Sequence, residues 1–306
     1  MPGAPAAGEM LQQLINAIVF GSVLTLFALG LSLAWGTLDV LNLAHGAVFI
    51  FAGYLTYELT RQGALSFVPA LIVSMVGAGA ATVALEVLAF RFIRTRFANK
   101  RQAELSMLVA SIGGAIIIDQ VVSNETGATT FGPPSSIFKV REYHLTGSAG
   151  ITNIQILIVV VAVLAAVGLD QWVRRSRQGR AVRAVAYDPV TSGLLGVNVS
   201  FVAISTMFVA GALAGLAGVL LAVNLRAEEV AVGQDYLLTA FAILIVGGVG
   251  SVRGAVLAAY LIAIAETAVV AYGPTQWRDG IAFLLILLVL LVRPQGLFAK
   301  AQFQRA

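Results

Sequence analysis

The sequence predicts an all-α fold, a polytopic bundle of about eight to ten transmembrane helices, and three observations predict it. Hydrophobic residues make up 59% of the chain and charged residues only 11%, against roughly 25% charged in an ordinary soluble domain, so a water-soluble fold would lack polar surface to cover itself. Apolar runs close to the spanning length of about 20 residues recur from residue 11 to residue 292. Short basic clusters separate them. No long polar interval or low-complexity linker divides the chain, and residues 1–306 read as a single membrane domain.

The first ten residues, MPGAPAAGEM, carry no Lys or Arg ahead of the first run. The positive region of a cleavable signal peptide is missing, and the first helix is expected to remain. Runs follow at 11–35, 45–60, 66–90, 104–122, 151–169, 199–223, 236–250, 254–272 and 277–292. Cytoplasmic loops carry an excess of Lys and Arg. That rule puts the cluster of Arg91, Arg94, Arg96, Lys100 and Arg101 inside, together with Arg174, Arg175, Arg177, Arg180 and Arg183. Alternating onward places Arg253, Arg293, Lys300 and Arg305 inside and leaves Arg61, Lys139, Arg141, Arg226 and Arg278 outside. The expectation is an N-terminus outside, a C-terminus in the cytoplasm and an odd number of crossings. Residues 123–150 form the longest outer loop. The inner loop at 170–198 is amphiphilic, with Ala and Leu at helical spacing from Ala181 to Leu195, and predicts one or two short helices on the membrane surface. The GxxxG step from Gly211 to Gly215 predicts close helix packing.

Two interruptions carry the functional signal. In GTLDVLNLAHGAVF, from Gly36, the residues Asp39, Asn42 and His45 recur every third position, so a helical segment would set them on one face. A polar cytoplasmic turn explains the string, and so does a discontinuous helix beside a pathway. The second interruption, GGVGSVRG, holds Gly247, Gly248, Gly250 and Gly254 and follows a run short for a span. Among acids within the runs, Glu86 and Asp119 stand near span ends and are expected at the interface, while Glu266 lies deeper, lining a pathway or bonding across helices.

Several classes are excluded. There is no cysteine, so disulfides and thiolate metal sites are out, and His144 stands alone with no metal-binding spacing. The basic residues orient helices, which removes the case for nucleic acid. No GxxxxGK[ST], GxSxG or HExxH string occurs, so the chain reads as a non-enzyme that binds no cofactor, with any ATP hydrolysis left to another chain.

Five strings together resemble the membrane permease of branched-chain amino-acid ABC importers: GLSLAWGTLDVLNLAHGAVFIFAGYL from Gly30, GRAVRAVAYDPVTSGLLGVNV from Gly179, FVAGALAGLAGVL from Phe208, GGVGSVRGAVLAAY from Gly247 and RPQGLF from Arg293. The resemblance implies a bacterial inner-membrane importer in which this chain pairs with a related permease. Two cytoplasmic ATPases, which bind ATP and Mg, supply energy, and an external or periplasmic binding protein delivers substrate. It implies that the inner loop docks into an ATPase, with Arg180, Arg183, Ala184, Asp188, Gly193 and Gly196 in the coupling segment. By the same resemblance Asn42, His45 and Gly46 belong to the family's first signature near the pathway, where Glu266 is a further candidate. Gly36 joins the four glycines of the second interruption as a hinge position. Ala47 departs from the many relatives that carry an acid after the His-Gly pair, which puts in doubt any mechanism resting on a carboxylate there. The group also imports urea, short amides and other carboxylates, and a stand-alone channel or uniporter is the alternative of a different class.

Overall fold

Polar backbone groups cannot stay unpaired in hydrocarbon, and the apolar runs meet that demand by closing into helices. The computed structural model describes residues 7–61, 63–97, 99–146, 149–293 and 296–298; Lys300 and Arg305 of the basic tail lie outside them. The order is α1 (Ala7–Leu38), α2 (His45–Arg61) and α3 (Phe67–Leu85), which continues through a π-helical turn at Glu86–Phe90 into α4 (Arg91–Arg96). Then come α5 (Lys100–Thr126), the strands β1 (Glu142–Thr146) and β2 (Ala149–Thr152), α6 (Asn153–Arg175), α7 (Arg177–Tyr187) and α8 (Pro189–Leu194). The chain continues with α9 (Val199–Leu225), α10 (Val232–Gly247), α11 (Val252–Tyr272), a 3₁₀ turn at Thr275–Trp277 and α12 (Arg278–Val292).

Six helices, counting α3–α4 as one, are long and apolar enough to cross a membrane among the described residues: α1, α3–α4, α5, α6, α9 and α11. The other three runs form shorter helices, α2 with 17 residues, α10 with 16 and α12 with 15. At 1.5 Å per residue α2 is about 25 Å long, less than the roughly 30 Å hydrocarbon core. The outer loop also departs from an all-helical reading, because β1 and β2 form an antiparallel hairpin within it.

Polar residues start the helices. Asn99, Ser176, Asn198 and Ser251 each accept a hydrogen bond from a first-turn N–H of α5, α7, α9 and α11, and Thr152 and Gln155 form a capping box at α6. Burial separates inner helices from outer ones. The apolar windows of α1 and α9 are 78% buried, those of α5 and α6 only 22% and 17%, so α1 and α9 form the centre and α5 and α6 present their faces outward. The Gly211 to Gly215 step packs α9 against Ala78 of α3 at both glycines.

The unit α1–α2–α3 recurs, inverted, as α9–α10–α11. Each is a long helix, an irregular stretch (39–44 or 226–231, equal in length), a half-length helix and a returning long helix. Equivalent residues match in backbone detail. Asp39 and Arg226, each the first residue past its long helix, have φ of 53° and 59°. Asp39 N–H donates to Trp35 O and Arg226 N–H to Ala222 O; His45 N–H donates to Asn42 O and Val232 N–H to Glu229 O. α2 runs parallel to α9, with Phe49 against Gly218 and Gly53 against Ala222. In the mirror relation α10 runs parallel to α1, with Tyr236 beside Phe27 and Phe241 beside Trp35. The two half-length helices therefore point in opposite directions.

Candidate functional site

The first irregular stretch corrects the expectation that Asp39, Asn42 and His45 share a helical face. α1 stays helical to Leu38, so Gly36 lies inside it, and residues 39–44 are not helical. The three polar side chains separate. Asp39 is exposed and pairs with Lys100 Nζ at 2.8 Å. Asn42 is buried and its Oδ1 accepts from the Ala44 N–H at 3.1 Å. His45, fully buried, donates from Nε2 to the Phe27 carbonyl at 3.1 Å, while Nδ1 has no hydrogen-bond partner among the described residues. Ser111 of α5 takes the Leu43 N–H at 3.1 Å. Buried irregular backbone persists only where neighbours satisfy it, and Ser111 and Asn42 do so here.

The GGVGSVRG string is the turn between α10 and α11. Gly247 closes α10, Gly254 lies in the first turn of α11 against it, and Gly248 and Gly250 take φ of 90° and 76°, open to glycine without strain. The true counterpart of the first break is 226–231, which the alternation of runs places outside with Arg226. Its signal is the paired acids Glu228 and Glu229 between two apolar runs.

The breaks meet in space. A Cβ placed on Gly46 would collide with the Gly233 carbonyl, and one on Gly233 with the Gly46 carbonyl. These equivalent residues of α2 and α10 thus touch through bare backbone. One turn on, the equivalent rings of Phe49 and Tyr236 stack with centroids 5.1 Å apart, and Phe27 packs edge-on against both. Gly36 and Gly250 make a second backbone contact, near the far end of α1. Together the glycines let four helices approach at two levels, and the positive N-terminal ends of α2 and α10 converge at the first.

Acids distribute unevenly around this junction. Glu228 is 1% exposed, its carboxylate against Gly53 of α2, and neither carboxylate oxygen has a hydrogen-bond partner among the described residues. Its backbone pairs both ways with Phe131 of the outer segment, at 2.7 and 3.0 Å. Glu266 is buried on α11, as its depth in the run suggested, and accepts from Arg278 Nε at 3.1 Å. Glu86, expected at the interface, is instead 1% exposed and paired with Arg94, which reaches back across the π-helical turn. A cavity of about 200 Å³ opens beside Tyr236, between α1, the start of α10 and the turn before α12.

The inner segment forms the two predicted short helices. In α7, Gly179, Val182 and Val185 are buried against the bundle while Arg180 is exposed. Arg183 donates to the Val173 carbonyl, folding α7 back on α6. The Asp188 N–H donates to Ala184 O at 3.0 Å, and the Asp188 carboxylate caps α8 by accepting from the Val190 and Thr191 N–H groups. Gly193 has open space around it and Gly196 takes φ 86°. Val190, Leu194 and Leu195 are more than two-thirds exposed.

Opposed half-length helices with satisfied breaks, set in a bundle of apolar helices, define a polytopic membrane permease. The chain belongs to the branched-chain amino acid transport system permease component family, whose model matches residues 13–290. It is 32% identical to the high-affinity branched-chain amino acid transport system permease protein LivH of Escherichia coli, over 96% of this chain and 97% of that one. It is 31% identical to the corresponding permease BraD of Pseudomonas aeruginosa, over 98% and 99%. Among solved structures it is similar to PsaBC from Streptococcus pneumoniae in complex with Fab, with a TM-score of 0.46, 15% identity and coverage of 93% and 91%.

Proposed function

We propose that this chain is the translocation subunit of an ATP-binding cassette importer that moves branched-chain, hydrophobic amino acids across the cytoplasmic membrane. The observation that carries the reading is the extent of the family match, which runs through both broken-helix units. The pathway runs along the junction of α2 and α10, past Asn42, His45 and Gly46, with Glu266 acting through Arg278. Where two half-helices touch through glycines, a small shift of one unit against the other opens or seals the path.

Nine crossings follow from the nine runs, seven by single helices and two by a break plus a half-length helix (39–61 and 226–247). The N-terminus is outside and the C-terminus inside, as the basic clusters require. α7 and α8 then lie on the cytoplasmic side, where the exposed Val190, Leu194 and Leu195, which follow the arginines of α7, form the surface that docks an ATPase. The remaining parts are a second related permease, two ATPase subunits holding ATP and Mg, and an external binding protein; this chain holds no cofactor of its own.

The test is reconstitution. Proteoliposomes with the two permeases and the ATPases, given leucine-loaded binding protein, should accumulate leucine only with ATP inside. Flux through this chain alone would establish a channel instead, and accumulation of urea or short amides in place of leucine would move the substrate to the other branch of the family.

A further inference from the structure

The cavity beside Tyr236 sets a second charge, Asp235, across from the Arg278 that the pathway reading already names. Its walls include Phe20 and Leu24 of α1, Asp235 and Thr239 of α10, Gln276 of the turn after α11 and Arg278 at the start of α12. Two opposite charges therefore border one small space with an apolar side. They are not paired with each other. Arg278 is held by the buried Glu266 through Nε at 3.1 Å, and its guanidinium lies 5.1 Å from the centre of the Phe20 ring. That ring packs edge-on against Tyr236 at 6.0 Å. Held at Nε and over a ring, the guanidinium presents its terminal edge, the part that takes a carboxylate end-on. Asp235 has no cationic partner among the described residues. At about 200 Å³ the space is below the roughly 300–1,000 Å³ of pockets for drug-sized ligands, which suits a small metabolite.

We infer that this cavity is a binding site for a free α-amino acid with an apolar side chain. The ligand's carboxylate lies on Arg278, its ammonium on Asp235 and its side chain against Phe20 and Leu24. The inference rests on the amino-acid reading above and adds where on this chain the cargo is held. It assigns Glu266 as a positioning residue, which orients Arg278 and does not touch the ligand. Because the site adjoins the first turns of α10, occupancy at Asp235 is felt where α10 meets α2.

The test uses the complete transporter in nanodiscs and a diazirine analogue of leucine as photoprobe. Mapping by mass spectrometry should place the label within 235–239 or 275–278, displaced by leucine but not by equal concentrations of isoamylamine, which lacks the carboxylate, or 4-methylpentanoate, which lacks the ammonium. Asp235→Asn, similar in shape, should lower ATP-driven leucine uptake about tenfold or more, the scale of a lost charged hydrogen bond. Thr239→Leu, which fills the space without changing a charge, should also lower it. Label displaced equally by the truncated analogues, label confined to other segments, or unchanged uptake in both variants would overturn the site while leaving the substrate class standing. A wild-type complex that neither transports leucine nor takes label would overturn the substrate class and the site together. The probe mapping needs no variant, so failure of a variant to assemble does not rescue the inference.

Discussion

Glu228 shows how one residue can constrain a whole junction. Its carboxylate oxygens find no hydrogen-bond partner among the described residues, so a neutral amide of the same shape fits the position at no loss of a bond. Glu228→Gln should therefore leave the unfolding temperature of the purified complex unchanged or raised, whereas Glu228→Lys, which puts a longer charged side chain into the same buried space, should lower it. A lower unfolding temperature for Glu228→Gln would count against an unpartnered carboxyl. Gly46 and Gly233 set the opposite kind of constraint, steric and not electrostatic. Gly46→Ala pushes a methyl group into the Gly233 carbonyl, and overpacking of that kind costs about 1–3 kcal/mol. A fall in the unfolding temperature, together with reduced leucine uptake, is the expected outcome. Both residues were only partly legible beforehand. Gly46 stood in a recognisable signature, but its contact lies 187 residues away, at Gly233, and no local pattern announces such a pair.

Elements behave as their caps and lengths dictate. α7 and α8 were legible from the helical spacing of Ala and Leu between Ala181 and Leu195, and the structure shows what starts them: Ser176 and Asp188 accept first-turn N–H groups, and Pro189 suits a first helical turn. The two glycines named in that segment now part company. Gly193 has only Val199 within reach of an added Cβ, at 3.8 Å, whereas Gly196 has φ 86°. Gly193→Leu should assemble normally, keep ATP hydrolysis and lose uptake if α8 transmits the ATPase movement. Gly196→Ala should weaken the fold by about 1–2 kcal/mol through backbone strain alone, read as a lower unfolding temperature. The half-length helices were the elements least legible. Hydropathy marks residues 45–60 and 236–250 as apolar but does not say where a helix begins, and irregular backbone such as 39–44 carries apolar residues like those of the helix it interrupts.

For the whole molecule, orientation is the property most open to direct measurement, because the chain contains no cysteine. Ser136→Cys in the outer segment and Gln178→Cys at the start of α7 are single exposed reporters. A membrane-impermeant maleimide should label Ser136→Cys in intact cells and Gln178→Cys only after lysis. The reverse pattern would invert the topology and remove α7 and α8 from the ATPase side. The inverted repeat is also a property at this scale. Equivalent positions share little sequence beyond four leucines of the long helices, Leu26, Leu29, Leu33 and Leu38 with Leu213, Leu216, Leu220 and Leu225, and Ala44 with Ala231 and Gly46 with Gly233, because inner and outer leaflets and different neighbours ask different side chains of the same backbone.

Composition and the spacing of apolar runs by themselves determined that this protein is a helical membrane bundle, and the basic clusters and ordered motifs determined its family and its expected orientation. Those signals are local, since hydrocarbon demands that each segment satisfy its own backbone. Only the tertiary structure decided that 39–44 and 226–231 are equivalent breaks, that Asp39, Asn42 and His45 part to three different partners, and that Asp235 and Arg278 border one cavity. Contacts between residues far apart in the chain depend on helix packing, and nothing in the order of residues along one helix states which neighbour it will meet.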